Sequence, residues 1–217
     1  MENWINLEQF SKTQQVLYFL DAIFWVAVYV LVEINVKKYK YVAIPAFSVT
    51  HNVAWEFVWS FMYKTELGEL FVWGIRAWFL TDVWLVYRLW QYGDKQVSHP
   101  YLKKHFHLLM PIFILGWIVL FNSFLQQYPD PIGATTGYAV NLIMSLLYVN
   151  LFFQNPAQPA LTLSIAVCKM FGTGFVGVGV WLGNTSAPFV IALAILTFIV
   201  DIWYCYLLMN RTKFIQE

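Results

Sequence analysis

Long apolar runs, each interrupted by a few turn-forming or charged residues, repeat along the whole 217-residue chain. Windows of about 20 mostly apolar residues, the length that crosses a hydrocarbon core of about 30 Å, fall at 16–34, 41–62, 71–92, 106–125, 133–153, 159–181 and 187–209. The runs do not alternate apolar with polar, so a β-barrel is a poor fit, and backbone polar groups cannot be left open to lipid. Each run is therefore predicted to be a helix. The connections QYPDPIG, QNPAQPA and GNTSAP are short and carry proline or glycine at the helix ends, which makes consecutive helices antiparallel neighbours. The predicted fold is all-α: a polytopic membrane protein in which residues 1–217 form a single bundle of seven transmembrane helices.

The polar positions inside these runs carry the chemical information. Ionisable residues within a membrane are costly and usually face the bundle interior, so each is a site candidate. Asp21, Glu56, Asp82, Lys169 and Asp201 stand out, whereas Arg76 lies nearer a span end and can snorkel. Helical spacing groups Ser48, Asn52, Glu56, Trp59 and Tyr63 on one face of the second span. Asn141, Ser145 and Tyr148 form a similar stripe on the fifth, and Thr197, Asp201 and Tyr204 on the seventh. Three helices are thus expected to turn polar stripes to a common interior. Asp82 or Asp21 could pair with Arg76 or Lys169 and fix helix packing. Glu56 is predicted about 9 Å below the exoplasmic edge, and Lys169 and Asp201 about 18 Å and 21 Å below it, at 1.5 Å per residue. Lys169 then reaches Asp201 more easily than Glu56. Desolvation disfavours a charged carboxyl, which makes Glu56 a candidate neutral acid.

Composition sharpens the picture. The chain is 60% hydrophobic, 12% charged and 20% aromatic, against about a quarter charged in a soluble domain. The net charge of +1 offers nothing to nucleic acid. Under the seven-span threading Lys37, Lys38, Lys40, Arg88, Lys95, Lys103, Lys104, Arg211 and Lys213 fall on one side, and Lys12 and Lys64 on the other. The positive-inside rule then sets the N-terminus exoplasmic or lumenal and the C-terminus cytoplasmic. The opening MENWINLEQFSKTQQ lacks the basic start and cleavage site of a signal peptide, so the first span is expected to be retained. Cys168 and Cys205 both sit in spans and read as packing residues, not a disulfide. Pro45 is tolerated in a first helical turn. Gly172, Gly174, Gly177 and Gly179 read as tight helix packing.

A buried acid among aromatic rings suits one kind of chemistry: protonation of an alkene or epoxide, with the resulting cation stabilised by ring faces that add no nucleophile. Trp55, Phe57, Trp59, Phe61, Tyr63, Trp73, Trp78, Phe79 and Trp84 crowd spans two and three. The segments NVAWEF (52–57), TDVW (81–84), NLIMSLLY (141–148), KMFGT (169–173) and DIWYCYLL (201–208) extend the signal across nearly the whole chain. In order and spacing the sequence resembles the small seven-helix membrane terpene cyclases of fungal meroterpenoid and indole-diterpene pathways, of the pyripyropene and paxilline types, and their bacterial relatives.

The resemblance implies a protonation-initiated cyclisation of a prenyl chain carried on an aromatic or indole head group and ended by deprotonation. It implies two catalytic acids, at Glu56 and Asp201, and no metal or cofactor. No aspartate cluster that would hold magnesium and a diphosphate is present in the sequence. Asn52, Trp55, Trp59, Trp78, Asp82, Asn141, Tyr148, Lys169 and Tyr204 are the substrate-binding candidates. Glu56 is the preferred proton donor, oriented by Asn52 one turn away, while Asp201 could relay a proton, anchor the head group or accept the final proton. The expected partners are a hydrophobic prenylated substrate, the lipid bilayer, and pathway enzymes such as a prenyltransferase or an epoxidase. Brief loops and the KKHFH stretch at 103–107 depart from the fungal pattern and leave the head group open.

Other classes fit less well. A retinal protein needs a lysine in the last span, and IALAILTFIVDIWYCYLLM has none. The NPA triplet at 155–157 occurs once, in a loop, which does not suit a water channel. A non-catalytic scaffold would not carry so many polar groups in its spans. A proton-coupled transporter using Glu56, Asp82 and Asp201 is the main alternative, although the chain has no self-similar halves.

Overall fold

A computed structural model describes residues 4–183 and 188–215, and among them regular secondary structure is helical throughout. In chain order the elements are α1 (Lys12–Tyr39), α2 (Ala46–Phe57) continued by a π-helical turn (Val58–Met62), and α3 (Glu69–Tyr92) followed by a 3-10 turn (Gly93–Gln96). Then come the short α4 (Pro100–Lys104), α5 (Phe106–Gln127), α6 (Ala134–Gln154), α7 (Leu163–Trp181), α8 (Pro188–Met209) and the short α9 (Arg211–Ile215). Six of them, α1, α3, α5, α6, α7 and α8, are long and apolar enough to cross a membrane. Seven runs were expected; the remaining one corresponds to α2 and its π turn, a shorter and more polar segment.

Helix ends depart from the apolar windows for local reasons. The first window, 16–34, lies inside a longer α1 because Ser11 and Gln14 form a reciprocal capping box, which starts the helix among polar residues. The second window opens at Tyr41, but residues 41–45 are not helical, since Pro45 disfavours helical geometry in the residue before it. Instead, the Gln96 side chain accepts the Ala46 N–H at 2.8 Å and caps α2 from the loop after α3. The sixth window begins at Pro159, whereas α7 begins at Leu163. Residue 187, the first of the last window, lies outside the described residues.

By contacts the chain separates into two helical units, with the boundary inside α6. The first comprises Met1–Phe10 and Ala46–Val140 and holds α2 to α5. Its core joins Ala54 and Val58 of α2 and its π turn to Phe121 of α5 and Val140 of α6, with Trp55, Phe57, Tyr63 and Trp117 packed around them. The Tyr63 hydroxyl donates to Asn122 Oδ1 at 3.0 Å and pins the end of the π turn to α5.

The second unit comprises Ser11–Pro45 and Asn141–Glu217. Here α1 lies along α7. Val28, Val32 and Val36 of α1 are buried, while Val16, Phe19, Ile23, Val26, Val30 and Ile34 of the same helix are exposed, as expected of an apolar helix that meets protein on one face and lipid on the other. Gln14 donates to the Gly179 carbonyl at 3.1 Å. The loop containing the NPA triplet is tied down by Asn35 Nδ2 on the Ala160 carbonyl at 2.8 Å and by Arg211, which donates to the Leu161 carbonyl. Cys168 and Cys205 are both free thiols.

Candidate active site

In the first unit the polar stripe of α2 meets α3. Glu56 is 4% exposed and Asp82 1% exposed. Asn52 links them: its Nδ2 donates to Asp82 Oδ2 at 2.7 Å and to Glu56 Oε1 at 3.3 Å. Helical spacing places Asn52 one turn before Glu56, and the close approach of α3 brings Asp82 to the same amide. Two carboxyls therefore share one neutral donor.

Immediately after Glu56 the helix widens into its π turn, closed by the Tyr63 N–H on the Val58 carbonyl at 2.9 Å. Such insertions are frequent at functional sites. The wider turn frees the Ser60 carbonyl, which accepts from Arg76 Nε at 3.2 Å. Arg76 thereby serves the backbone, its guanidinium lying 4.7 Å from the Trp73 ring. Among the described residues of this unit, the ion pair of Arg76 with Asp82 considered from the sequence is not formed.

The aromatic surround is narrower than the sequence suggests. Trp59 is buried, and its ring lies 6.0 Å from that of Trp55 and 6.2 Å from that of Tyr63. Trp73, Trp84 and Phe61 are exposed. Trp84 carries the Arg88 guanidinium 4.5 Å from its ring, in the manner of an interfacial anchor. Trp78 is half-buried, and its carbonyl accepts from Thr81 Oγ1.

Trp55 is positioned by residues the sequence reading passed over. Its Nε1 donates to Thr136 Oγ1 at 2.8 Å, and Thr136 in turn donates to Asp130 Oδ2 at 2.7 Å. Asp130 also accepts the backbone N–H groups of Thr135 and Thr136 at 3.0 and 2.9 Å, so it caps the first turn of α6 where unpaired donors favour an anion. The residue before α6, Gly133, has φ 75°, and a Cβ there would meet the Trp55 ring at 2.8 Å. The signal available in QYPDPIGATT was an aspartate and a glycine just ahead of a helix start.

The second unit holds a different arrangement. Lys169 Nζ donates to both carboxylate oxygens of Asp201 at 2.9 Å and to Ser145 Oγ at 2.7 Å. Lys169 is 1% and Asp201 3% exposed. An ammonium has three donors, and here all three are used. The stripes of α6 and α8 do converge in this unit, joined by Lys169 of α7. Ser145 also donates to the Asn141 carbonyl at 2.9 Å. One turn on, the buried Tyr148 and Tyr204 rings lie 5.1 Å apart. Lys169 is thus the partner of Asp201, and its pairing with Asp21 is not formed. Asp21, half-buried on α1, is instead hydrogen-bonded by Trp25.

Comparison with known proteins supplies the family. The family model of Pyr4-like transmembrane terpene cyclases matches residues 5–213. The Pyr4-family terpene cyclase mfmH of Annulohypoxylon moriforme is 25% identical over 122 residues, which is 56% of this chain and 50% of the relative. Terpene cyclase spyD of Aspergillus fumigatus is 30% identical over 116 residues, 52% of this chain and 48% of the relative. The chain spans about half the length of these curated relatives. No solved structure matches it. With membrane-spanning helices, a buried carboxyl pair in one unit, a compensated carboxylate in the other, and a family match over nearly every residue, this integral membrane chain belongs to the Pyr4-like transmembrane terpene cyclases.

Proposed function

We propose that the protein cyclises a prenyl chain, of farnesyl length, attached to an aromatic or indole head group, and that Glu56 starts the reaction by protonation. The observation that carries this reading is the shared amide of Asn52 between Glu56 and Asp82. Two neighbouring carboxyls out of water cannot both ionise without strong repulsion, so the pair retains a proton. Asp201, by contrast, has both oxygens engaged by the Lys169 side chain. Glu56 is left as the donor.

The Glu56 proton adds to the CH carbon of the terminal alkene, leaving a tertiary cation, or to the oxygen of a terminal epoxide. The electron-poor centre so formed is attacked by successive chain alkenes, and each attack forms a ring bond. Loss of a proton from the carbon beside the last cation, taken up by the carboxylate left on Glu56 or by Asp82, restores an alkene, so substrate and product are isomers, and the acid exchanges its proton with solvent between turnovers. Indole and phenol faces such as those of Trp55, Trp59 and Tyr63 stabilise positive charge without trapping it. The reaction needs no metal in this reading. The membrane supplies the apolar substrate laterally, and with seven spans the positive-inside rule puts the N-terminus on the exoplasmic or lumenal side and the C-terminus on the cytoplasmic side.

The test uses membranes containing the protein, incubated in deuterated buffer with farnesyl-indole, a farnesylated phenol or the corresponding terminal epoxide. From the alkene substrates a cyclic isomer bearing a single carbon-bound deuterium at the initiating position is the expected result, and from the epoxide a cyclic alcohol, both lost in Glu56→Gln. Uptake of these compounds into vesicles without conversion overturns the reading in favour of a carrier.

A further inference from the structure

The polar surface of α2 extends beyond the groups used above. Ser48 and His51 are both 0% exposed, and the Ser48 hydroxyl and both ring nitrogens of His51 have no hydrogen-bond partner among the described residues. A buried donor or acceptor left unpaired is destabilising, so three such atoms within one helical turn call for an explanation. Packing holds the imidazole in place. Its ring stands edge-on to Phe47 at 6.1 Å and 83° and to Trp117 at 5.5 Å and 78°, and those two rings also meet each other at 5.9 Å. The nitrogens are fixed in orientation by apolar walls that offer them nothing to bond.

Their location supplies the explanation. With 3.6 residues per turn, Ser48 sits about 60° around the helix from His51 and about 40° from Asn52, which is about 40° from Glu56. The four form a continuous arc. Along the axis His51 lies about 7.5 Å and Ser48 about 12 Å from Glu56.

We propose that Ser48 and His51 form the head-group subsite, binding a hydroxylated or N–H-bearing aromatic ring whose prenyl tail runs along α2 towards Glu56. A neutral imidazole supplies one donor and one acceptor, and the serine hydroxyl supplies both, so a ring carrying an O–H or N–H satisfies them. Phe47 and Trp117 flank the ring. The direction of the tail rests on the cyclase reading; the subsite itself rests on the unpaired atoms.

The experiment measures binding of 2-farnesylhydroquinone and of its dimethyl ether to the full chain in lipid nanodiscs, by tryptophan fluorescence. The two probes share shape, but the ether cannot donate. Wild type is expected to prefer the hydroquinone by about tenfold or more, and Ser48→Ala or His51→Phe to remove most of that preference while the ether affinity stays within about twofold. Equal binding of the probes by wild type, an undiminished preference in both variants, or parallel weakening of both probes overturns the subsite. Conversion is followed separately in the same preparations. An intact preference without cyclic product from either the hydroquinone or its terminal epoxide leaves the subsite standing and overturns the cyclase reading.

Discussion

Asn52 is a neutral residue on which two acids depend, because its single amide nitrogen serves both Glu56 and Asp82. Asn52→Leu removes that donor while keeping the branched side-chain shape. The expected result is a stability loss of about 1–3 kcal/mol, read by thermal unfolding in detergent, and at least a tenfold slower initiation, about 1.4 kcal/mol in barrier. Glu56→Gln is expected to abolish deuterium incorporation with little change in stability. The ion pair of the second unit answers to a different logic. Removing one partner of a buried pair leaves an uncompensated charge and costs about 3–5 kcal/mol, whereas replacing both with apolar residues is often neutral. Lys169→Met alone is therefore expected to lower the melting temperature sharply, and Lys169→Met with Asp201→Leu to restore most of it. If Asp201 also serves the reaction, the double variant recovers its fold without its turnover, a separation that a purely structural aspartate would not produce.

At the scale of elements, close approach and capping decide where helices sit. On α7, a Cβ at Gly179 would lie 2.5 Å from the Tyr18 ring of α1, nearer than any side chain tolerates. Gly179→Ala is expected to cost about 1–3 kcal/mol through overpacking, and Tyr18→Leu on the same background to recover part of it; an unchanged melting temperature in the single variant would mean that α1 shifts freely. On α6, Asp130→Ala removes the cap, an expected loss of about 0.5–2 kcal/mol, and releases the Thr136 hydroxyl that holds Trp55. A shift in tryptophan emission reports the second effect. The sequence carried the elements better than their relations. Helical periodicity was enough to place Asn52 beside Glu56 and to align Asn141, Ser145 and Tyr148, since those groupings depend only on the rise and twist of a helix. It was silent on Asp130, whose carboxylate reaches forward over a turn, and on the π turn, which no hydrophobic pattern encodes. It also overcounted the aromatic lining: Trp73 and Trp84 share residue type with Trp59 but face outward beneath arginines, a distinction set by packing and not by composition.

For the whole molecule the open structural question is whether α2 crosses the membrane, because every later segment changes side with it. Six helices meet the length and hydropathy expected of a span. The segment of α2 and its π turn is shorter and carries Ser48, His51, Asn52, Glu56 and Ser60. If it crosses, the loops bearing Lys37, Lys38 and Lys40, then Lys95, Lys103 and Lys104, and the end bearing Arg211 and Lys213 share one side, as the positive-inside rule requires. If it does not, the second and third of these groups move opposite the first, and Lys64 joins the first. Charge therefore favours seven spans even though hydropathy alone finds six. Single cysteines placed at Ser98 and Gln127, on a background with Cys168 and Cys205 replaced by alanine, read the answer directly. With an N-terminal tag located on the exoplasmic face, a membrane-impermeant maleimide is expected to label Gln127→Cys in intact cells and Ser98→Cys only after permeabilisation. The reverse pattern, with the tag unchanged, would leave α2 on one side of the bilayer and take Glu56 out of the membrane interior that its proposed role as an acid requires.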